Sequence, residues 1–196
     1  EFGTESWLKG SNEYTGNTGV WAQISVDPEL ETVYLPVEQA TGDYYGGHRP
    51  GNNLYSSGLV ALDIKTGTMK WAYQTTHHDI WDWDMPSAPI LADITVDGKA
   101  IKAVAVPTKQ NYLYVFDRTN GVPVWPIVET PVPKGDLPGE WYSPTQPIPS
   151  KPPAFGRQGI KPEDLLDFTP ELRAKAQEFV KNYRIGSIWE PPSARI

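Results

Sequence analysis

The sequence predicts an all-β fold, a piece of a repeating propeller-like array of sheets carrying a proline-rich insertion and one helix. Three observations predict it. Twenty prolines and 17 glycines among 196 residues disfavour long helices and imply frequent turns. Eight tryptophans and ten tyrosines add large side chains that favour strands. The stretches "ALDIKTGTMKW" (61–71) and "VFDRTNGVPVW" (115–125) share the frame Asp-x-x-x-Gly-x-x-x-Trp. Asp63, Gly67 and Trp71 recur as Asp117, Gly121 and Trp125, 54 positions later in each case. An apolar strand, a tight turn and a returning strand bearing a large ring explain this frame. The Asp accepts backbone N–H bonds in the turn, the Gly takes positive φ, and the Trp packs flat on a neighbouring unit. Two such hairpins in one frame suggest a repeated sheet of about 40–50 residues per blade.

Taken in order, short apolar runs between turn residues predict strands at 32–37, 57–64 and 69–75. Strands at 88–96 and 100–107 follow, joined through Asp97-Gly98, a favoured hairpin dipeptide. Runs at 112–117 and 122–128 complete the set, so residues 1–128 are assigned to propeller blades. Residues 129–196 read as a separate insertion, rich in Pro, Gly and polar groups as far as 162. Within it Thr169-Pro170-Glu171 supplies an N-cap, a proline at the first helical position and an acid in the first turn. Leu172, Ala176, Phe179, Val180 and Tyr183 recur at helical spacing, predicting a helix near 169–184 with one apolar face and an end by Gly186.

Charge and composition exclude several classes. A net charge of −7 argues against a nucleic-acid backbone as partner. With no cysteine, disulfides and thiolate chemistry are absent. No apolar run reaches ~18 residues, so no membrane span is expected here. The chain opens at Glu1 without a charged and then apolar leader, so no secretory signal is expected within these residues. No Gly-x-Gly-x-x-Gly dinucleotide fingerprint occurs.

The stretch "THHDIWDWD" (76–84) concentrates chemistry. It could be a metal site, an acid–base group or an elaborate turn. Read as strand residues, His77 and His78 point to opposite faces and cannot easily share one ion. Only His48 remains as another imidazole, which is poor for zinc. The pair is expected to serve packing and hydrogen bonding, with one ring lining a substrate pocket, and Asp79 to serve a turn or a polar network.

These motifs together resemble one family. "ALDIKTGTMKW" is similar to the tryptophan-docking motif of pyrroloquinoline-quinone (PQQ)-dependent dehydrogenases, which form eight-bladed propellers. "YQTTHHDIWDWDMPSAPILADI" resembles the active-site segment of the membrane-type glucose dehydrogenase branch. "GDYYGGHRPGNNLYSSGLVALD" and "AVPTKQNYLYVFDRTNG" resemble the same branch on either side. The resemblance implies that the chain is a fragment of about two blades from such a propeller. It implies oxidation of an aldose or another alcohol by hydride transfer to PQQ, with electrons passed to a quinone or cytochrome. A periplasmic location is implied too, with any membrane attachment through segments outside these residues.

Residue by residue, the resemblance makes Asp82 the base that takes the hydroxyl proton. It makes Lys109, in "PTKQ", the donor to the quinone oxygens, and Trp21 the ring under the planar cofactor. It also implies a divalent ion, calcium or magnesium, held by oxygen ligands and cofactor carboxylates. Alcohol-type relatives place an Asn where this chain has Gln39, so the metal ligands are not assigned; Asp43 is a nearby oxygen donor. Asp84 resembles an extra carboxylate of lanthanide-using relatives, but glucose-type sequences carry an acid there as well. Two alternatives stay open: a non-enzymatic propeller scaffold, which explains the repeat but not "HHDIWDWD", and an inactive truncated copy.

Overall fold

Asp63 and Asp117 turn the chain in the same way. In the computed structural model, which describes residues 2–194, Asp63 Oδ1 accepts the backbone N–H groups of Lys65 and Thr66 at 3.0 and 2.9 Å. Asp117 Oδ1 accepts that of Thr119 at 2.9 Å. In both turns the glycine N–H donates to the aspartate carbonyl at 2.8 Å, with φ of +70° at Gly67 and +77° at Gly121.

Around these turns two antiparallel sheets form. The first has four strands in sequential order: β1 (Ser25–Asp27), β2 (Thr32–Val37), β3 (Gly58–Asp63) and β4 (Met69–Gln74). The second has three, β5 (Ile90–Val96), β6 (Lys99–Pro107) and β7 (Leu113–Asp117). Both are meanders, the blade unit of a propeller. Side chains alternate across each strand, and the inward set fills the space between the sheets. Tyr34, Leu59 and Ala61 face Val104, Tyr114 and Phe116, all buried, with Met85 among them.

The repeat's tryptophan makes the blade-to-blade contact. Trp71, on β4, lies over the turn of the second sheet, where a Cβ added to Gly121 would come within 2.6 Å of its ring. Its face also meets Tyr34 and Phe116 at centroid distances of 5.9 and 5.8 Å. A buried charge closes the same seam. Arg118 donates to Asp27 at 2.7 Å and to Asp93 at 2.8 Å, while Tyr34 OH donates to the Arg118 carbonyl at 3.2 Å.

The expected strand at 122–128 does not form as one element. Pro123 makes only an isolated bridge to Phe116, and the next strand, β8 (Ile127–Pro131), pairs with β9 (Thr145–Pro149) in a third sheet. The bonds to β7 run through the Val122 carbonyl and the Val124 N–H, and Pro126, the next residue in that register, has no N–H to donate, so the ladder goes no further. Strand β9 lies inside the proline-rich stretch, where no strand is expected from sequence. Its Gln146 and Pro147 are buried by the residues described below.

The helix α1 (Pro170–Val180) starts as its sequence dictates, with the Thr169 hydroxyl accepting the Leu172 N–H at 3.2 Å. It stops at Val180, short of 184, and its apolar side chains lie at the surface. Phe179 is 67% exposed and stacks only on Tyr183, at 4.9 Å among the described residues. None of the described helices is long and apolar enough to cross a membrane.

Candidate active site

Strand β4 ends at Gln74, and the segment after it bends instead of continuing as a strand. The two histidines therefore sit in a bend; they nonetheless point apart. His77 contacts Gln74 Oε1 at 2.8 Å and Glu129 Oε1 at 3.0 Å. His78, in left-handed conformation at φ 46° and fully buried, contacts the Gly51 carbonyl at 2.8 Å and Glu140 Oε1 at 2.9 Å. His48 is elsewhere, on the Thr41 carbonyl at 3.0 Å. Among the described residues no group of three or more His, Cys, Asp or Glu side chains is arranged to hold a metal.

Asp79 organises the next turn. It is buried completely, accepts the Ser57 hydroxyl at 2.7 Å, and accepts the backbone N–H groups of Trp81 and Trp83 at 3.0 and 3.1 Å. Burial pushes its carboxyl up to about 6, against the pull of those donors and of Arg49. Asp82 lies between the two amides that Asp79 holds, with φ 62°. A non-glycine residue in that region persists only where its surroundings over-determine it.

Three residues singled out from sequence meet here. Lys109 follows β6 and donates to Asp82 Oδ1 at 3.0 Å and to Asp84 Oδ2 at 3.1 Å. Its ammonium also stands 5.9 Å from the centre of the Trp21 ring. That ring is 56% exposed and sends its indole N–H to Asp84 Oδ2 at 3.2 Å. Asp84 Oδ1 accepts the Gln39 backbone N–H at 2.9 Å. The result is an ammonium between two carboxylates beside an open indole face. Burial and the neighbouring Asp84 raise Asp82 above the usual carboxylate range, although Lys109 opposes them. In Asp84 burial is outweighed by the Gln39 N–H and Lys109, so it stays low. Of the pair, Asp82 is the one that holds a proton more readily.

Beside the carboxylates runs a polar cleft of about 380 Å³, lined by Asn17, Glu38, Gln39, Asp43 and the two aspartates. Gln39 Nε2 donates to Asp43 Oδ1 at 2.7 Å, while Gln39 Oε1 is buried without a hydrogen-bond partner.

Supporting residues that the sequence does not flag come from far along the chain. Arg49, fully buried, donates to the carbonyls of Thr41, Gly42 and Asp79 at 3.1, 2.8 and 2.5 Å. Trp81 Nε1 donates to the Glu190 carbonyl at 2.8 Å, and its ring meets Trp189 edge-on at 5.4 Å. Gln158 donates to the carbonyl of Gln110, next to Lys109, at 2.8 Å. An acid followed by two aromatics in a proline-rich run, as in "PGEWYSP", is the one local hint of such a role.

The whole chain, residues 1–196, matches the family model described as the glucose/ethanol/alcohol dehydrogenase beta-propeller domain that carries the name PQQ. The chain belongs to the PQQ-dependent dehydrogenase family. Among relatives in this family, the quinate/shikimate dehydrogenase (quinone) of Acinetobacter baylyi is 36% identical over 182 residues, 92% of this chain and 22% of that protein. The quinoprotein glucose dehydrogenase of Escherichia coli is 43% identical over 142 residues, 70% of this chain and 18% of that protein. Among solved structures, the quinohemoprotein alcohol dehydrogenase of Comamonas testosteroni superposes with a TM-score of 0.59 at 30% identity, covering 76% of this chain and 22% of that one. A europium-containing methanol dehydrogenase gives 0.60 at 27% identity, covering 82% and 28%. The chain thus spans about a fifth of the length of the family members it matches.

Proposed function

We propose that this chain forms part of the catalytic face of a PQQ-dependent dehydrogenase that oxidises a sugar or another polyhydroxy alcohol, with Asp82 as base. The observation that carries the reading is Lys109 bridging Asp82 and Asp84 next to the exposed Trp21 ring. A scaffold propeller gives no reason for a cation and two acids to converge on a half-open indole.

The residues present fit the cofactor. A planar polyanion needs an apolar face to stack on and a cation at its edge. Trp21 offers the face and Lys109 the cation. The orphaned Gln39 Oε1 and the Glu38 and Asp43 carboxylates of the same cleft are hard donors suited to calcium or magnesium if cofactor carboxylates complete the shell. When bound, PQQ supplies the two-electron acceptor for hydride.

This chain's own residues divide the remaining work. The Asp82 carboxylate accepts the proton of the substrate hydroxyl; its raised affinity for protons makes it a stronger base than an ordinary carboxylate. Lys109 Nζ donates to oxygen where negative charge grows, in a site where such a donor is worth far more than in water. Asp84 holds both Trp21 and Lys109 in place, one carboxylate oxygen serving both. The bend that carries Asp82 is anchored through Asp79.

The glucose-type reading is the finer part of the proposal. It is supported by the 43% identity to the Escherichia coli glucose dehydrogenase. Other relatives are a quinate/shikimate dehydrogenase and the glycerol dehydrogenase large subunit of Gluconobacter oxydans, which point to polyols as the wider class. Electron transfer to a quinone or cytochrome and a periplasmic setting belong to the same proposal. The test uses the complete protein containing this chain, reconstituted with PQQ and Ca²⁺ or Mg²⁺, following dye reduction by glucose, glycerol and quinate beside an Asp82→Asn variant. Cofactor-dependent turnover that is lost in the variant supports the base. Turnover retained in Asp82→Asn sinks it.

A further inference from the structure

The proline-rich stretch grips the segment that bears Asp82. Gln146, on β9, is fully buried and uses its side-chain amide as both donor and acceptor on one residue: it accepts the His77 N–H and donates to the His77 carbonyl, each at 2.8 Å. One residue further along, His78 is held by Glu140, across 62 positions of sequence. Neither side chain of that pair is more than 1% exposed. Trp141 meets the His78 ring edge-on at 4.9 Å.

The hydrogen-bond partners determine what lies between His78 and Glu140. The two neighbours of His78 Nδ1 are the Gly51 carbonyl at 2.8 Å and Asn53 Oδ1 at 3.2 Å, and both accept. Asn53 Oδ1 is itself fixed as an acceptor by the Arg49 guanidinium at 2.8 Å. Nδ1 therefore carries a hydrogen, and the 2.9 Å contact from Nε2 to Glu140 needs a second one. Glu140 also accepts the Gly46 and Trp141 backbone N–H groups at 2.6 and 2.8 Å, so its carboxyl is built in and not a chance neighbour.

From His78 the contacts lead to the base. Asn53 Oδ1 is shared by His78 and Arg49, and Arg49 holds the Asp79 carbonyl. The Asp79 carboxylate in turn holds the two amides that flank Asp82. Both His78 and Asp82 sit at positive φ, conformations that cost free energy and need outside support. Residue 140 supplies that support from a loop with no reacting group of its own.

We propose that Glu140 is a positioning residue: by fixing the His78 ring it fixes the bend that sets Asp82 against Lys109, a role that rests on the reading of Asp82 as base. Glu140→Ala empties the position. Glu140→Gln keeps only part of it: its amide can donate to Nε2 of a neutral His78 and its oxygen can accept the Gly46 N–H, but the Trp141 N–H, which Glu140 Oε1 also accepts, loses its acceptor.

The experiment measures amide hydrogen exchange of Trp81 and Trp83 in the complete protein without PQQ, then kcat and KM after reconstitution. In Glu140→Ala the two amides exchange faster while β5–β7 stay as protected as in the parent. Its kcat falls about 100-fold, as for a base displaced by about 1 Å, with little change in KM. Glu140→Gln gives a smaller effect on both. Unchanged exchange at Trp81 and Trp83 in Glu140→Ala overturns the proposal. If that variant loses protection throughout, Glu140→Gln, which weakens the grip without emptying the position, decides: native strands with faster exchange at Trp81 and Trp83 uphold the proposal, and exchange as slow as in the parent overturns it. Should the parent bind PQQ but turn over no alcohol, the exchange result still judges Glu140, and only the assignment of the base falls.

Discussion

The Trp21 indole N–H reaches the Asp84 carboxylate at 3.2 Å, across 63 positions of sequence. The same carboxylate oxygen receives the Lys109 ammonium. One acid therefore sets the spacing between a stacking surface and a cation. Asp84→Asn is expected to loosen both, weakening PQQ binding by about tenfold, the scale of one charge-assisted hydrogen bond. Quenching of tryptophan fluorescence in a PQQ titration of the complete protein measures it. Unchanged affinity would show that Trp21 and Lys109 are held without Asp84.

The acid limb of kcat/KM is the second expectation. Burial and Asp84 place Asp82 above 3.8, and a base works only when ionised, so activity falls as the pH drops through that raised value. Removing Asp84's negative charge lowers Asp82, so the limb in Asp84→Asn moves to lower pH. Lys109→Met removes a cation that favours the charged form, so its limb moves up. The directions are opposite, and a pH–rate series on the three proteins reads them.

The seam between the two sheets depends on Asp27 and Arg118, a pair with side-chain exposures of only 5% and 8%. Asp27→Asn leaves the guanidinium short of its partner and is expected to cost about 3 kcal/mol or more of stability. Burial works against the charged carboxyl, but the Leu30 N–H and Arg118 outweigh it and hold Asp27 below 3.8. The sign follows from linkage. A lowered folded value gives stability that is complete above the unfolded value and is lost as pH falls through the folded one. Thermal unfolding between pH 5 and 2 should therefore show a smaller acid loss in Asp27→Asn than in the parent.

Gly121 and Gly67 occupy the same place in the repeat but not the same surroundings. A Cβ at 121 meets the Trp71 ring at 2.6 Å, whereas at 67 it meets nothing within 4 Å. Both residues are left-handed, so alanine costs about 1–2 kcal/mol at either. At 121 an overpacking term of about 1–3 kcal/mol adds to it. The comparison is best made by urea unfolding of this chain, in which an equal loss at both sites would mean that Trp71 yields freely.

Much of this architecture was legible in the residues, and the reason is local. The two Asp-x-x-x-Gly-x-x-x-Trp frames carry their own turn chemistry, and the helix start at Thr169 carries its own cap, so both form as expected. Asp82, Lys109 and Trp21 could be singled out together only because their motifs resemble a family, since no spacing rule brings residue 21 beside residue 109. Local reading failed where distant partners decide. The run at 122–128 is apolar enough for a strand, yet Pro126 cannot continue the ladder and β9 captures its end. Arg49, Glu140 and Gln146 look like ordinary surface side chains until the fold buries them. The histidines invited a metal, but each ring has its hydrogen-bond partners within the protein.

The Trp71–Gly121 contact has a direction: the ring belongs to the earlier sheet and the bare Cα to the later one. Such a joint is heterologous, each unit offering a plug on one side and a socket on the other. Gly67 is a socket in the same chemistry, and Trp125 stands where the next plug belongs. A joint of this kind leaves one plug and one socket open on any unclosed run of blades, so the run can be extended from either side until a ring closes.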